Sequence, residues 1–313
     1  MTNSTGSADR LPTASFTLLD GLESELGPGR VRGGGIIIPS RGIRRPLDAR
    51  EDLLSRAAPY TRLHESTSVS HLTASLLHGI PLPAWAQDTS QIDLARSGGP
   101  EERLGQPRRF EVRGHRVRLG ADDVMMLGGT RVTTAERTWL DLCGVRQLTM
   151  DDVIVAGEHL VSEHQRGIHP RTAIVTLAQL RAYVGGKRRV PGLGRARIAL
   201  ELMAVGADSP QETRIRLMLE RAGLPPFKPN CVVVDPWGKV LWVDLGNARY
   251  RVAIEYDGEH HLDPEQQQWD RSRNRRTVAA GWAQVILTRE DLVRGEAHIV
   301  SRVVAALTSQ GWR

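Results

Sequence analysis

The stretch from Val240 to His261, VLWVDLGNARYRVAIEYDGEHH, constrains this chain more tightly than any other. A first β-rich run, Val240 to Val243, ends at Asp244. After a turn-like break at Gly246 and Asn247, a second run from Arg251 to Asp257 carries Glu255 and Asp257. Strand side chains alternate between faces, so Val252, Ile254 and Tyr256 share one face while Ala253, Glu255 and Asp257 share the other. If the two runs pair antiparallel, Asp244 comes round to the acidic face, beside His260 and His261. Carboxylates packed this closely need a cation or a proton to offset their repulsion. Oxygen ligands favour magnesium, calcium or manganese, and a metal held by two carboxylates is a common means of activating water against a phosphate. The expected metal ligands are therefore Asp244, Glu255 and Asp257. Each has a plainer alternative: Asp244 as a strand-ending turn residue, and Glu255 and Asp257 as charges that keep an edge strand from pairing.

Elements are expected on both sides of this stretch. Ser209 is placed as an N-cap with Pro210 in the first helical position and Glu212 at the third, and Gly223 ends that helix. Glu212 is a candidate site residue, although a Ser-x-x-Glu start is also a capping box with no need of catalysis. Strands are expected at Cys231 to Asp235 and Val240 to Asp244, then at Arg251 to Asp257. A long helix from Asp263 to about Ala280 follows, then a buried strand, Trp282 to Leu287, and a last helix capped by Thr288. The order is α-β-β-β-α-β-α. Arg271, Arg273, Arg275 and Arg276 fall on the long helix, where they can form a solvated face or hold phosphates by bidentate bonds.

The N-terminal part reads as a different module. Residues 1–48 are rich in Gly, Ser, Pro and Arg and suggest a loose arm with one short strand at Ile36 to Ile38. Residues 49–184 alternate helical and strand patterns, including a hairpin-like pair around Gly114 and a helix capped by Thr133 or Thr134, and suggest an α+β module that binds a partner or DNA. His71 and His78 lie a helical distance apart, without a third metal ligand nearby. The basic, Gly-rich segment GGKRRVPGLG makes residues 185–206 the expected linker, leaving 207–313 as the second domain.

Composition narrows the partners and the setting. Lys plus Arg exceed Asp plus Glu by 42 to 36, which suits a polyanionic partner. Only Cys143 and Cys231 are present, both among apolar residues, so neither a disulfide framework nor a thiolate metal site is expected. There is no run of about 18 apolar residues and no signal-peptide pattern at the start, so the expectation is a cytoplasmic protein without membrane contact.

The ordered set of Glu212 in QETRIRLMLERAGLP, Asp244 in VDL, and Glu255, Asp257, Gly258 and His261 in RVAIEYDGEHH resembles the restriction-endonuclease-like nuclease superfamily, near the very-short-patch-repair endonucleases and their bacterial relatives. Asp270 and Arg271, and the pair Gly281 and Trp282, extend the resemblance across residues 209 to about 292. The segments SHLTASLLHGIPLP and VTTAERTWLDL are similar to the C-terminal region of proteins related to abortive-infection antitoxins. The first resemblance implies an α/β nuclease domain that hydrolyses DNA phosphodiester bonds with Mg²⁺ or Mn²⁺, in repair or phage defence. Asp244 and Glu255 would hold the metal, Asp257 would assist, His261 would move a proton and Glu212 would support the site. One departure stands out. Many members carry a Lys two residues after the acidic residue of the third strand, where this chain has Asp257, and no Lys follows Lys239. His261 or Arg271 would then serve in its place. The rival expectation is an antitoxin-like or regulatory binding protein that keeps the fold without turnover.

Overall fold

The computed structural model describes residues 11–24, 26–97, 106–165, 170–258 and 264–313, with the backbone alone for 264–271. The chain divides into two compact units, one made of residues 1–148 and 182–196, the other of 149–181 and 197–313. This differs from the boundary expected at 185–206. Together the units form a mixed α/β architecture with several sheets. Among the described residues, no helix is long and apolar enough to cross a membrane.

The first unit begins with strand β1 (Phe16–Thr17), helices α1 (Leu18–Glu23) and α2 (Pro28–Arg32), and strands β2 (Ile36–Ile37) and β3 (Ile43–Pro46), the strands pairing in the order β1-β3-β2. The composition of this segment suggests a loose arm. Its few apolar residues converge instead: Phe16, Leu26 and Val31 bury together against Leu11, Leu18 and Ile36. Thr17 and Asp20 close a capping box that starts α1. Gly- and Arg-rich composition hid a small core whose members lie far apart in sequence.

Next come α3 (Leu53–Arg62), β4 (Thr67–Val69), α4 (His71–Leu77), β5 (Ile92–Arg96), β6 (Val112–Arg116), β7 (Val124–Leu127), β8 (Thr130–Thr133) and α5 (Ala135–Cys143). The five strands order as β6-β5-β4-β8-β7. Their core gathers Ile43, Ala57, Tyr60, Val69, Ile92, Leu94 and Val132. The hairpin expected around Gly114 is not formed. β6 runs straight through that residue and pairs parallel with β5. Gly114 serves close approach rather than a turn, because a Cβ there would collide with the Pro107 carbonyl oxygen.

The second unit contains α6 (Met150–Val161) and, after α7 (Leu177–Gly186) and α8 (Leu193–Leu202), which run across the division between the units, α9 (Pro210–Arg221), β9 (Lys228–Val234), β10 (Val240–Asn247), β11 (Val252–Asp257), α10 (Pro264–Ala279), β12 (Ala283–Thr288), α11 (Arg289–Arg294) and α12 (Glu296–Ser309). The expected α-β-β-β-α-β-α order is present from α9 onward, with the last helix split at Gly295, whose φ of 96° a helix cannot accommodate. The sheet orders as β12-β11-β10-β9, with β9, β10 and β11 antiparallel and β12 parallel to β11. One face packs Leu245, Val252, Ile254, Val285 and Leu287 against Ile215 and Leu219 of α9 and Ile299, Val303 and Leu307 of α12. The other gathers Val233, Leu241, Val243, Ala253 and Trp282.

α6 belongs with this unit for an electrostatic reason as well as an apolar one. Glu158 of α6 is buried, and it accepts hydrogen bonds from Thr213 Oγ1 at 2.7 Å and Ala204 N–H at 2.6 Å as well as from the buried Arg216 guanidinium. Asp152 and Asp151 on the same helix bond Arg214 and Arg221 of α9 at 2.5 Å and 2.9 Å.

Candidate active site

The alternation of β11 places its residues as the sequence implies: Val252 and Ile254 enter the core shared with α9 and α12, whereas Ala253 enters the opposite one. Glu255 therefore projects away from the larger core, yet it is 4% exposed, and its Oε2 accepts a hydrogen bond from Arg273 of α10 at 2.8 Å. Asp257, the last residue of β11, is exposed.

Asp244 sits where β10 and β11 part. Their ladder comprises Asn247–Val252, Gly246–Ala253 and Leu245–Ile254, and goes no further. Beyond it the Asp244 side chain takes the place of a backbone acceptor, with Oδ2 accepting the Tyr256 N–H at 2.9 Å. This fixes the carboxylate beside the backbone of the residue that follows Glu255.

Glu212 approaches from α9. Ser209 accepts the Glu212 N–H at 3.2 Å, as an N-cap does, and Glu212 Oε2 accepts the Asp208 N–H at 2.9 Å. The capping role is thus real, but it does not exhaust the residue. Glu212 is 6% exposed. Burial first, then the charge of Asp244, pushes its carboxyl up to about 8, so that it holds a proton at neutral pH. The fold has brought Glu212 and Asp244 within electrostatic reach from elements far apart in sequence.

The remaining candidates divide. His261 lies outside the described residues, as does the Arg271 side chain. Arg273 is engaged with Glu255, and Arg276 bonds the buried Asp235 through Nε at 2.7 Å. Burial works against ionisation of Asp235, yet Arg276 and the N–H groups of Lys239 and Trp237 hold its carboxyl below the usual range. Two of the arginines expected at phosphates therefore meet carboxylates of their own unit, while Arg275 is exposed. Among the described residues, no group of three or more His, Cys, Asp or Glu side chains is arranged to hold a metal ion. A cavity of about 530 Å³, bordered by Lys228, Asn247, Tyr250 and Trp312, opens at the far end of β10, and none of the carboxylates lines it.

The first unit carries a buried polar cluster that sequence reasoning missed. His71 does not pair with His78, which bonds the Thr133 carbonyl at 2.8 Å. It stacks on His115, ring centroids 3.6 Å apart, between Asp93 and Asp141. The Arg137 guanidinium lies behind, bonded to Asp141 and to Asp123. Only the i, i+4 spacing of Arg137 and Asp141 hinted at this; the other members come from separate elements.

No protein-family model, curated protein or solved structure matches the chain.

Proposed function

We propose that residues 207–313, completed by the helix at 150–161, form a restriction-endonuclease-like domain that hydrolyses DNA phosphodiester bonds with Mg²⁺ or Mn²⁺, and that the N-terminal unit binds a partner or DNA. The observation that carries this reading is the meeting of Glu212 and Asp244, one carboxyl buried and held protonated partly by the charge of the other. Such a pair suits a hard cation, which would relieve their repulsion and displace the proton. Asp244 and Glu212 are the residues that would hold it. When bound, the metal supplies charge stabilisation and water activation at the phosphodiester.

The chain's own groups then have distinct parts. The Tyr256 N–H fixes the direction of the Asp244 carboxylate. Arg273 holds Glu255 in place and puts a fixed positive charge beside its carboxylate. Asp257 stands at the rim, and His261, four residues on in sequence, is the candidate for moving a proton. Of Arg273, Arg275 and Arg276, the exposed Arg275 is the best placed to meet a phosphate.

A second reading draws support from the Glu255–Arg273 pair. An arginine that already neutralises a ligand carboxylate suits a binding protein that keeps the fold without turnover. Calorimetric titration of the whole chain with Mn²⁺ tests the first reading. The expected result is saturable binding that Asp244→Ala abolishes; no binding by the wild-type chain would favour the second.

A further inference from the structure

The buried cluster of the first unit plays no part in the proposed nuclease reaction, and its geometry assigns charges to its members. Two imidazolium rings stacked at 3.6 Å and inclined by only 11° would repel strongly, so the His71–His115 stack holds at most one positive charge. Each ring has its own carboxylate, at very different range. Asp93 Oδ1 lies 2.7 Å from His115 Nε2, the length of a charge-assisted hydrogen bond. Asp141 Oδ2 stands 4.0 Å from His71 Nδ1, too far for any hydrogen bond, whereas an ion pair this deeply buried would close. His71 Nδ1 instead lies 3.0 Å from the hydroxyl of the wholly buried Ser70, which can donate to a bare ring nitrogen. Arg137 of α5 and Arg113 of β6 add positive charge around His71.

Asp141 is arranged to match. Its Oδ1 accepts from Arg137 Nε at 3.0 Å, but its Oδ2, although buried, accepts no hydrogen bond. A carboxylate oxygen left so would be costly, whereas a carboxyl group carries its own proton. Asp123, beyond Arg137, adds a further negative charge nearby.

We propose that His71 and Asp141 form an acid–base site in reversed protonation, the imidazole bare as the base and the carboxyl protonated as the acid, with the His115–Asp93 pair packed against it. Burial accounts for both halves. It pushes His71 well below its ordinary value, helped by His115, Arg137 and Arg113, and lifts Asp141 to about 6 against the pull of Arg137. The arrangement is therefore fully developed on the acid side of pH 6. Next to the pair, the side chains of His115 and Arg113 are 21% and 45% exposed. His71 also keeps a φ of 47°, unusual for a non-glycine residue and a form of strain that collects at functional positions. The ligand class is a protic group, a hydroxyl, amine or water. His71 takes a proton from it and Asp141 returns one, so the cluster passes from two neutral groups to an ion pair with no change in net charge.

The test is made on the full chain at pH 5.0. Imidazole nitrogen resonances, with His71→Asn to assign the signal, should show a neutral His71 ring. Infrared spectra should show a protonated-carboxyl band that Asp141→Asn removes. Asn tolerates the left-handed backbone at position 71, so that variant is expected to fold. Melting temperatures give a second readout. In the unfolded chain at this pH the proton sits on His71, and in the fold on Asp141, so the wild-type pair takes up no net proton on folding. Asp141→Asn should lose melting temperature relative to wild type between pH 7 and 5, and His71→Asn should gain. A cationic His71 at pH 5.0, a missing carboxyl band, or variant differences that do not change with pH would each overturn the proposal.

Discussion

At the scale of single residues, the second unit depends on charges taken out of water and on the groups that receive them. Arg216 and Glu158 are both buried, at 2% and 1% exposure, and Thr213 and the Ala204 N–H complete the carboxylate's partners. Burial raises the Glu158 carboxyl, and Arg216 opposes that rise. Arg216→Met should therefore destabilise by about 3–5 kcal/mol, because it strands a buried charge. Glu158→Gln combined with Arg216→Met should recover part of the loss in denaturant titration. Glu212 makes a prediction of opposite character. Its folded-state value of about 8 exceeds the ordinary 4.5 of the unfolded chain, so the native state binds the extra proton between those limits. Stability falls as pH rises through that window, with the contribution intact below 4.5 and gone above 8. Melting temperatures from pH 5 to 9 should show this decline, and Glu212→Gln should flatten it.

At the scale of elements, much of the second unit was legible and much of the first was not. The β11 alternation was readable because one strand face must enter a core, and a period of two admits a single assignment of faces. Thr288 was readable as a cap, and it accepts the Asp291 N–H in a closed capping box; Thr288→Ala should cost about 1 kcal/mol. The partners of the α10 arginines were not readable, because helix periodicity fixes which residues share a face but not which carboxylate a neighbouring strand presents. Arg273→Ala and Arg276→Ala should therefore lower the melting temperature, while Arg275→Ala should reduce the salt slope of DNA binding by roughly one unit. Equal effects of the three on DNA binding, with stability unchanged, would contradict this division. In the first unit, the contact between His71 and His115 joins residues far apart in sequence through a parallel strand pairing, and no local pattern encodes such a meeting.

At the scale of the whole molecule, the Gly-rich stretch from Gly185 to Gly194 looks like a boundary because its composition is that of a linker, but Glu158 and α6 connect earlier sequence to α9. A fragment of residues 207–313 lacks the partner of Arg216 and should melt at low temperature or without cooperativity, whereas residues 149–313 should melt cooperatively. Cleavage of DNA reports on what the carboxylates of the second unit do. Supercoiled plasmid and oligonucleotide substrates would be incubated with the full chain, with and without Mn²⁺, beside Asp244→Ala and Glu255→Ala proteins of wild-type melting temperature. Nicking that requires the metal and disappears in both variants is the expected result. Cleavage that persists in both variants, or a wild-type chain that binds DNA but leaves it intact with Mn²⁺ present, would contradict it.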